Sequence, residues 1–168
     1  YTGTSYRYDK WGQKWKISNL DIEDIKTILR GKFTKTDENK IIKSITAAGT
    51  LSYDFLVSLL QKESIEDILK NNKLIDFSLL EKGLKEFYEK KSLVSIENAL
   101  DKFYYISIIQ FSKLLPREGD LFRNFLLKEV DITNILTLLR LKKAKFDMED
   151  VKDFIISSGN RLKDSKIL

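Results

Sequence analysis

Apolar residues recur along this chain every three or four positions rather than every two, the spacing that predicts helices and not strands. From Tyr6 to Arg30, the residues Trp11, Trp15, Ile22, Ile25, Ile28 and Leu29 fall at helical spacings, and Gly31 stands where a left-handed cap would close the helix. Ser18 and Asp21 have capping-box spacing, so a helix that begins afresh at Ser18 is the alternative. Thr36 or Asp37 opens a short helix with Ile41, Ile42 and Ile45, which runs out at Ala47, Ala48 and Gly49. Ser52 and Ser64 cap two more, bearing Phe55, Leu56, Leu59 and Leu60, then Ile65, Ile68 and Leu69. Two further stripes run from Phe77 to Tyr88 and from Ile96 to Leu115, with an interruption around Ser92 to Ser95. The second is apolar over a wide arc, as expected of a helix buried on more than one side. After Pro116 and Gly119, Asp120 opens a long amphipathic helix through Leu121, Phe122, Phe125, Leu126, Ile132, Ile135, Leu138 and Leu139.

The pattern then starts again. The 29 residues from Asp21 align without gaps with the 29 from Asp131, with identities at 11 positions. These are Asp21/Asp131, Ile22/Ile132, Ile25/Ile135, Thr27/Thr137, Leu29/Leu139, Arg30/Arg140, Lys32/Lys142, Lys35/Lys145, Asp37/Asp147, Ile45/Ile155 and Gly49/Gly159. Unrelated sequences would share about two, so an internal repeat is expected. Its offset of 110 residues exceeds the roughly 33–47 of common helical solenoids, so each unit is a small helical domain. The expected architecture is all-α, a helical repeat of about 110 residues in which a long amphipathic helix precedes several shorter ones. Residues 1–115 form the first repeat and residues 116–168 the beginning of a second. Nine residues follow Gly159, and Tyr1 stands where Met would open a complete chain. The expectation is therefore a fragment whose end exposes surface that the whole protein buries.

Composition removes most chemistry. With 42% hydrophobic and 33% charged residues, the 168-residue chain has a globular balance. Zero Cys and zero His exclude disulfides, thiolate or imidazole metal sites and imidazole-based triads. No Gly-rich phosphate loop occurs, and no run approaches the roughly 18–20 apolar residues of a membrane span. The net charge of +5 invites a basic helical nucleic-acid-binding or adaptor module, yet the signs are interleaved, as in Glu81, Lys82, Lys85, Glu86 and Glu89. A carboxylate enzyme with a divalent ion would need acidic residues converging in one cleft, and no cluster predicts that.

The repeated segments carry a resemblance. LDIEDIKTILRGK at Leu20 to Lys32, AAGTLS at Ala47 to Ser52, the Phe103 to Leu115 helix and VDITNILTLLRLKK at Val130 to Lys143 resemble the C subunit of archaeal-type and V-type rotary ATPases, whose eukaryotic counterpart is the d subunit. The resemblance covers about Trp15 to Leu162, and a whole family member has three such repeats at roughly twice this length. It implies a non-catalytic rotor subunit without cofactors, on the cytoplasmic face of the membrane and peripheral to it. Its implied partners are the central-shaft subunits and the proteolipid ring, between which it passes torque, with no nucleic acid.

Candidate contacts follow from the repeat. Arg30 and Arg140 end the two long helices, and either touch a neighbouring subunit or pair within their own repeat. Asp21 and Asp131 anchor a network between repeats, or are simply solvated or capping residues. Lys142 and Lys143, with Lys145, offer a basic segment to lipid headgroups or an acidic partner, or form a solvated helix end. Trp11 and Trp15 share a face suited to packing.

Overall fold

The computed structural model describes residues 18–72, 75–115, 118–143, 145–146, 151–152 and 154–156. Among these the regular elements are all helical: α1 (Asn19–Phe33), α2 (Glu38–Ser44), α3 (Tyr53–Leu60), α4 (Ile65–Asn71), α5 (Glu81–Lys90), α6 (Val94–Ser112) and α7 (Glu118–Lys143), with a 3-10 turn at Phe77–Leu79. Residues 1–84 and 85–168 make two compact units.

In the first unit, α1 starts at the capping box. The Ser18 hydroxyl accepts from the Leu20 amide at 3.2 Å, and the Asp21 carboxylate accepts from the Ser18 amide at 3.0 Å. The alternative start at Ser18 is thus the observed one; Trp11 and Trp15 lie outside the described residues. Gly31 does not cap α1, which runs on to Phe33. Lys35 is the left-handed residue, at φ 53°, and the Thr36 amide donates to the Gly31 carbonyl at 2.9 Å. Gly31 serves packing instead, because a Cβ there would lie 2.4 Å from Ile41 Cδ1 of α2.

Hydroxyl and carboxylate caps begin the next three helices as their spacing predicts. Asp37 accepts from the Asn39 amide, Ser52 from Phe55 and Ser64 from Asp67. Helices α2, α3 and α4 all pack on α1. Leu56, Leu59, Leu60, Ile68 and Leu69 are buried, as are Ile22, Ile25, Ile28 and Leu29 of α1. This burial, at roughly 25 cal/mol per Å² of apolar surface, is what holds short helices that would be marginal alone.

In the second unit, α6 and α7 lie against each other. Thr133 Oγ1 meets Tyr105 Oη at 3.2 Å, and Thr137 Oγ1 meets Asn98 Oδ1 at 3.3 Å. The end of α7 repeats the geometry that ends α1. Lys145 is left-handed at φ 57°, the Lys145 amide donates to the Lys142 carbonyl, and the Phe146 amide donates to Leu141 at 3.1 Å. Leu141, Phe146, Val151, Phe154 and Ile155 form one buried cluster, with the Phe146 and Phe154 rings edge to face at 5.5 Å. Lys90 places its ammonium 3.7 Å from the centre of the Phe146 ring.

Candidate functional site

Two carboxylates on α1 gather the connection between α2 and α3. Asp21 Oδ2 accepts from the Thr50 amide at 3.0 Å and its hydroxyl at 2.7 Å, while Oδ1 accepts from the Leu51 amide at 2.8 Å. One turn on, Asp24 accepts from the amides of Thr46 at 2.8 Å and Ala47 at 2.9 Å. Both acids are buried, and four backbone donors of a loop that lacks its own ladder are thereby satisfied. Gly49 permits the approach: a Cβ would stand 2.1 Å from Asp21 Oδ1. Asp21 therefore caps its helix, as its spacing from Ser18 predicts, but it is not solvated. Its main partners lie 29 and 30 residues away.

The second unit contains a related latch. Asn134 of α7 accepts from the Ile156 amide at 2.9 Å and donates to the Ile156 carbonyl at 3.0 Å. Asp24 with Thr46 and Asn134 with Ile156 have the same 22-residue separation and lie 110 residues apart. Asp131, the sequence counterpart of Asp21, is half-buried on α7.

The cationic candidates cluster at helix ends, where a positive charge suits the dipole. Arg30 is half-buried in the last turn of α1, and its carbonyl accepts from both the amide and the hydroxyl of Thr34. Lys32 pairs with Glu38 of α2 at 3.3 Å. Arg140, Lys142 and Lys143 close α7, and all three are exposed, as is Lys145 just beyond. Burial, with Tyr105 and Glu129 nearby, pushes the Tyr104 phenol of α6 up to about 12. Hydrogen bonds from the Ser78 amide and hydroxyl hold Asp76 below its ordinary value.

Among the described residues no group of three or more His, Cys, Asp or Glu is placed to hold a metal ion, and no helix is long and apolar enough to cross a membrane. Asp21 and Asp24 are engaged by backbone donors, an arrangement that fastens a loop.

The sequence profile of the family described as ATP synthase (C/AC39) subunit matches residues 17–168. The chain belongs to that family. Within the ATP synthase (C/AC39) subunits it is similar to the C subunit of the A-type ATP synthase of Methanococcoides burtonii, 41% identical over 148 residues that make up 87% of this chain and 40% of that protein. The A-type C subunit of Methanosarcina acetivorans is 37% identical over 153 residues, 90% of this chain and 41% of the relative. That of Methanosarcina barkeri is 32% identical over 154 residues, with 90% and 41% covered. The chain thus spans about two fifths of the length of the relatives it matches. No solved structure matches it significantly.

Proposed function

We propose that this chain acts as part of a non-catalytic central-stalk component of an A-type or V-type rotary ATPase. It lies between the central shaft and the proteolipid ring on the cytoplasmic face and passes torque from one to the other. The observation that carries the reading is the family match over residues 17–168, together with relatives that are C subunits of A-type ATP synthases. A torque-bearing element needs loops that do not yield, and the buried Asp21 and Asp24 fastenings supply that rigidity in the first unit. Arg140, Lys142 and Lys143 form the exposed basic tip through which α7 meets an acidic neighbour, and Arg30 is the equivalent cation of the first repeat.

The chain is also read as two copies of one unit, with 1–115 as the first and 116–168 as the start of the second. Three correspondences at an offset of 110 support this. They are the left-handed Lys35 and Lys145, the wrapping bonds from Thr36 to Gly31 and Phe146 to Leu141, and the Asp24–Thr46 and Asn134–Ile156 latches. The compact units and the sequence repeats differ in phase because α6, the last helix of the first repeat, packs on α7, the first of the second.

The test is capture of the chain by purified shaft subunits and by the proteolipid ring of the Methanococcoides burtonii enzyme, beside a DNA control across a salt series. Retention on shaft or ring, lost in Arg30→Ala/Arg140→Ala or Lys142→Ala/Lys143→Ala while circular dichroism is unchanged, is the expected result. Salt-sensitive retention on DNA with none on shaft or ring would overturn the proposal in favour of a phosphate-binding module.

A further inference from the structure

Helix α7 lies with its more polar side inward. Its buried stripe is Leu126, Val130, Asn134, Thr137 and Leu141, none more than 3% exposed. The opposite side carries an outward row, Leu121, Phe125, Ile132, Ile135, Leu136 and Leu139, each 46–80% exposed. At about 100° per residue the two stripes stand roughly half a turn apart. Burial of apolar surface alone would therefore set the other side of α7 against α6, with six large apolar side chains rather than three. Polar contacts oppose it. The Thr137 hydroxyl donates to Asn98 Oδ1 of α6 at 3.3 Å, and the Thr133 hydroxyl donates to Tyr105 Oη at 3.2 Å. Asn134 closes on both backbone groups of Ile156. Asn98 is itself 3% exposed, and its amide nitrogen has no hydrogen-bond partner among the described residues. A buried side chain left half-satisfied costs stability, and its presence calls for a reason.

We infer that Asn98 of α6 and Asn134 of α7 are orientation-determining residues: they fix which side of α7 meets α6, and so keep its more apolar side outward. The reason lies in the alternative orientation. With α7 turned by half a turn, Asn98 would face Leu136 and Leu139 with neither its oxygen nor its nitrogen bonded, and Asn134 would lose Ile156. Their bonds exist in one orientation only, so the cost of desolvating them falls mainly on the other. A buried asparagine that selects one arrangement of a helix pair, at some loss of stability, acts in the same way. Asn98→Leu exchanges a half-satisfied amide for apolar volume, and Thr137 can then bond the carbonyl one turn back in its own helix. That change removes the selection without emptying the space between α6 and α7.

The absence of cysteine allows a direct test, since a single introduced thiol is the sole labelling site. Leu139→Cys reports the outward side of α7 and Val130→Cys the inward side, with Lys40→Cys on the exposed side of α2 as the reference. In the otherwise unmodified chain, Leu139→Cys reacts with a maleimide at the rate of the reference, and Val130→Cys far more slowly. In an Asn98→Leu/Asn134→Ala background the two rates move in opposite senses. Val130→Cys speeds by roughly tenfold or more and Leu139→Cys slows by roughly threefold or more, as each side takes the place of the other. Thr137→Ser, which keeps the hydroxyl, leaves both rates as they are in the unmodified chain. Asn98→Leu alone carries the same comparison if the double variant loses its helical circular dichroism. Faster labelling of Val130→Cys with Leu139→Cys still fast would mean that the helix pair only loosens, and would overturn the inference. Unchanged rates at both positions would do the same. So would slowing of Leu139→Cys that vanishes on dilution, which would place a second copy on the outward row. None of these outcomes involves shaft or ring, so this inference and the rotor reading stand or fall separately.

Discussion

Replacing Asp21 by Ala removes one side chain and strands several donors at once. Its carboxylate accepts from the amides of Ser18, Thr50 and Leu51 and from the Thr50 hydroxyl, at 2.7–3.0 Å. Each charge-assisted bond contributes about 1.5–3 kcal/mol, but the bonds share one carboxylate and are not additive, and water can reach Thr50 once the loop loosens. The expected loss is therefore about 3–5 kcal/mol, well below the sum of the separate bonds. That is a large share of the roughly 5–15 kcal/mol that stabilises a typical domain. At a urea slope of about 2 kcal/mol per M, the midpoint falls by about 2 M. Amide exchange at Thr50 and Leu51 accelerates more than elsewhere in α1 if the fastening is local. A double-mutant cycle with Gly49→Ala sharpens the test, because the new methyl lies 2.1 Å from Asp21 Oδ1. Gly49→Ala should cost at least about 1 kcal/mol less once Asp21 is Ala than when it is present. A midpoint change worth under about 1 kcal/mol for Asp21→Ala, with additive behaviour in the cycle, would refute the idea that this carboxylate holds the loop.

Exchanging the two latch residues is expected to damage both sites. Asp24→Asn turns an amide group toward the Thr46 or Ala47 donors, and Asn134→Asp turns a carboxylate toward the Ile156 carbonyl, each at about 1–3 kcal/mol; unchanged urea midpoints would count against the assignment. Gly31→Ala should lower the melting temperature, by about 1–3 kcal/mol of overpacking against Ile41, with part of the loss recovered by Ile41→Val. A rise in melting temperature, as expected for a simple gain in helix propensity, would show that α1 and α2 yield freely. Tyr104 has a folded pKa raised from 10.0 to about 12, so its contribution is intact below pH 10 and is lost as pH climbs from 10 toward 12. Tyr104→Phe should flatten the fall in stability over that window relative to the unmodified chain, measured by urea titration at each pH, and equal slopes in the two proteins would contradict the burial that raises the phenol.

Local signals were legible in the sequence where the cause is local. Ser18, Asp37, Ser52 and Ser64 are caps because a short polar side chain two or three residues before an amide satisfies it without help from the rest of the fold. Gly31 misled for the same reason. A glycine beside the last apolar residue reads as a C-cap, yet its purpose is set by Ile41, ten residues away, which spacing within one helix does not reveal. Asp21 stood out through its match with Asp131, but its burial depends on a loop 29 residues on, and Asp24 and Asn134 escaped notice because they are not identical. The one available clue was their common offset. The outward row on α7 had an apolar pattern no different from that of α1, since periodicity reports which face is apolar and not whether a neighbour covers it.

The two helix ends also differ in how they are filled. One has Gly31 against Ile41, and the other has Leu141 with Val151 in one buried cluster. The long helix carries the small residue at one end and the large one at the other, so neither member of a pair is free to change alone. Passing from the first arrangement to the second with the long-helix residue changing first would set a leucine where even a methyl meets Ile41 at 2.4 Å. Shortening the partner to valine does not by itself open the way, since Ile41 Cγ1 stands 2.5 Å from a Cβ at position 31 and valine keeps a carbon there. Any chimera that exchanges these segments must therefore carry both residues of a pair together.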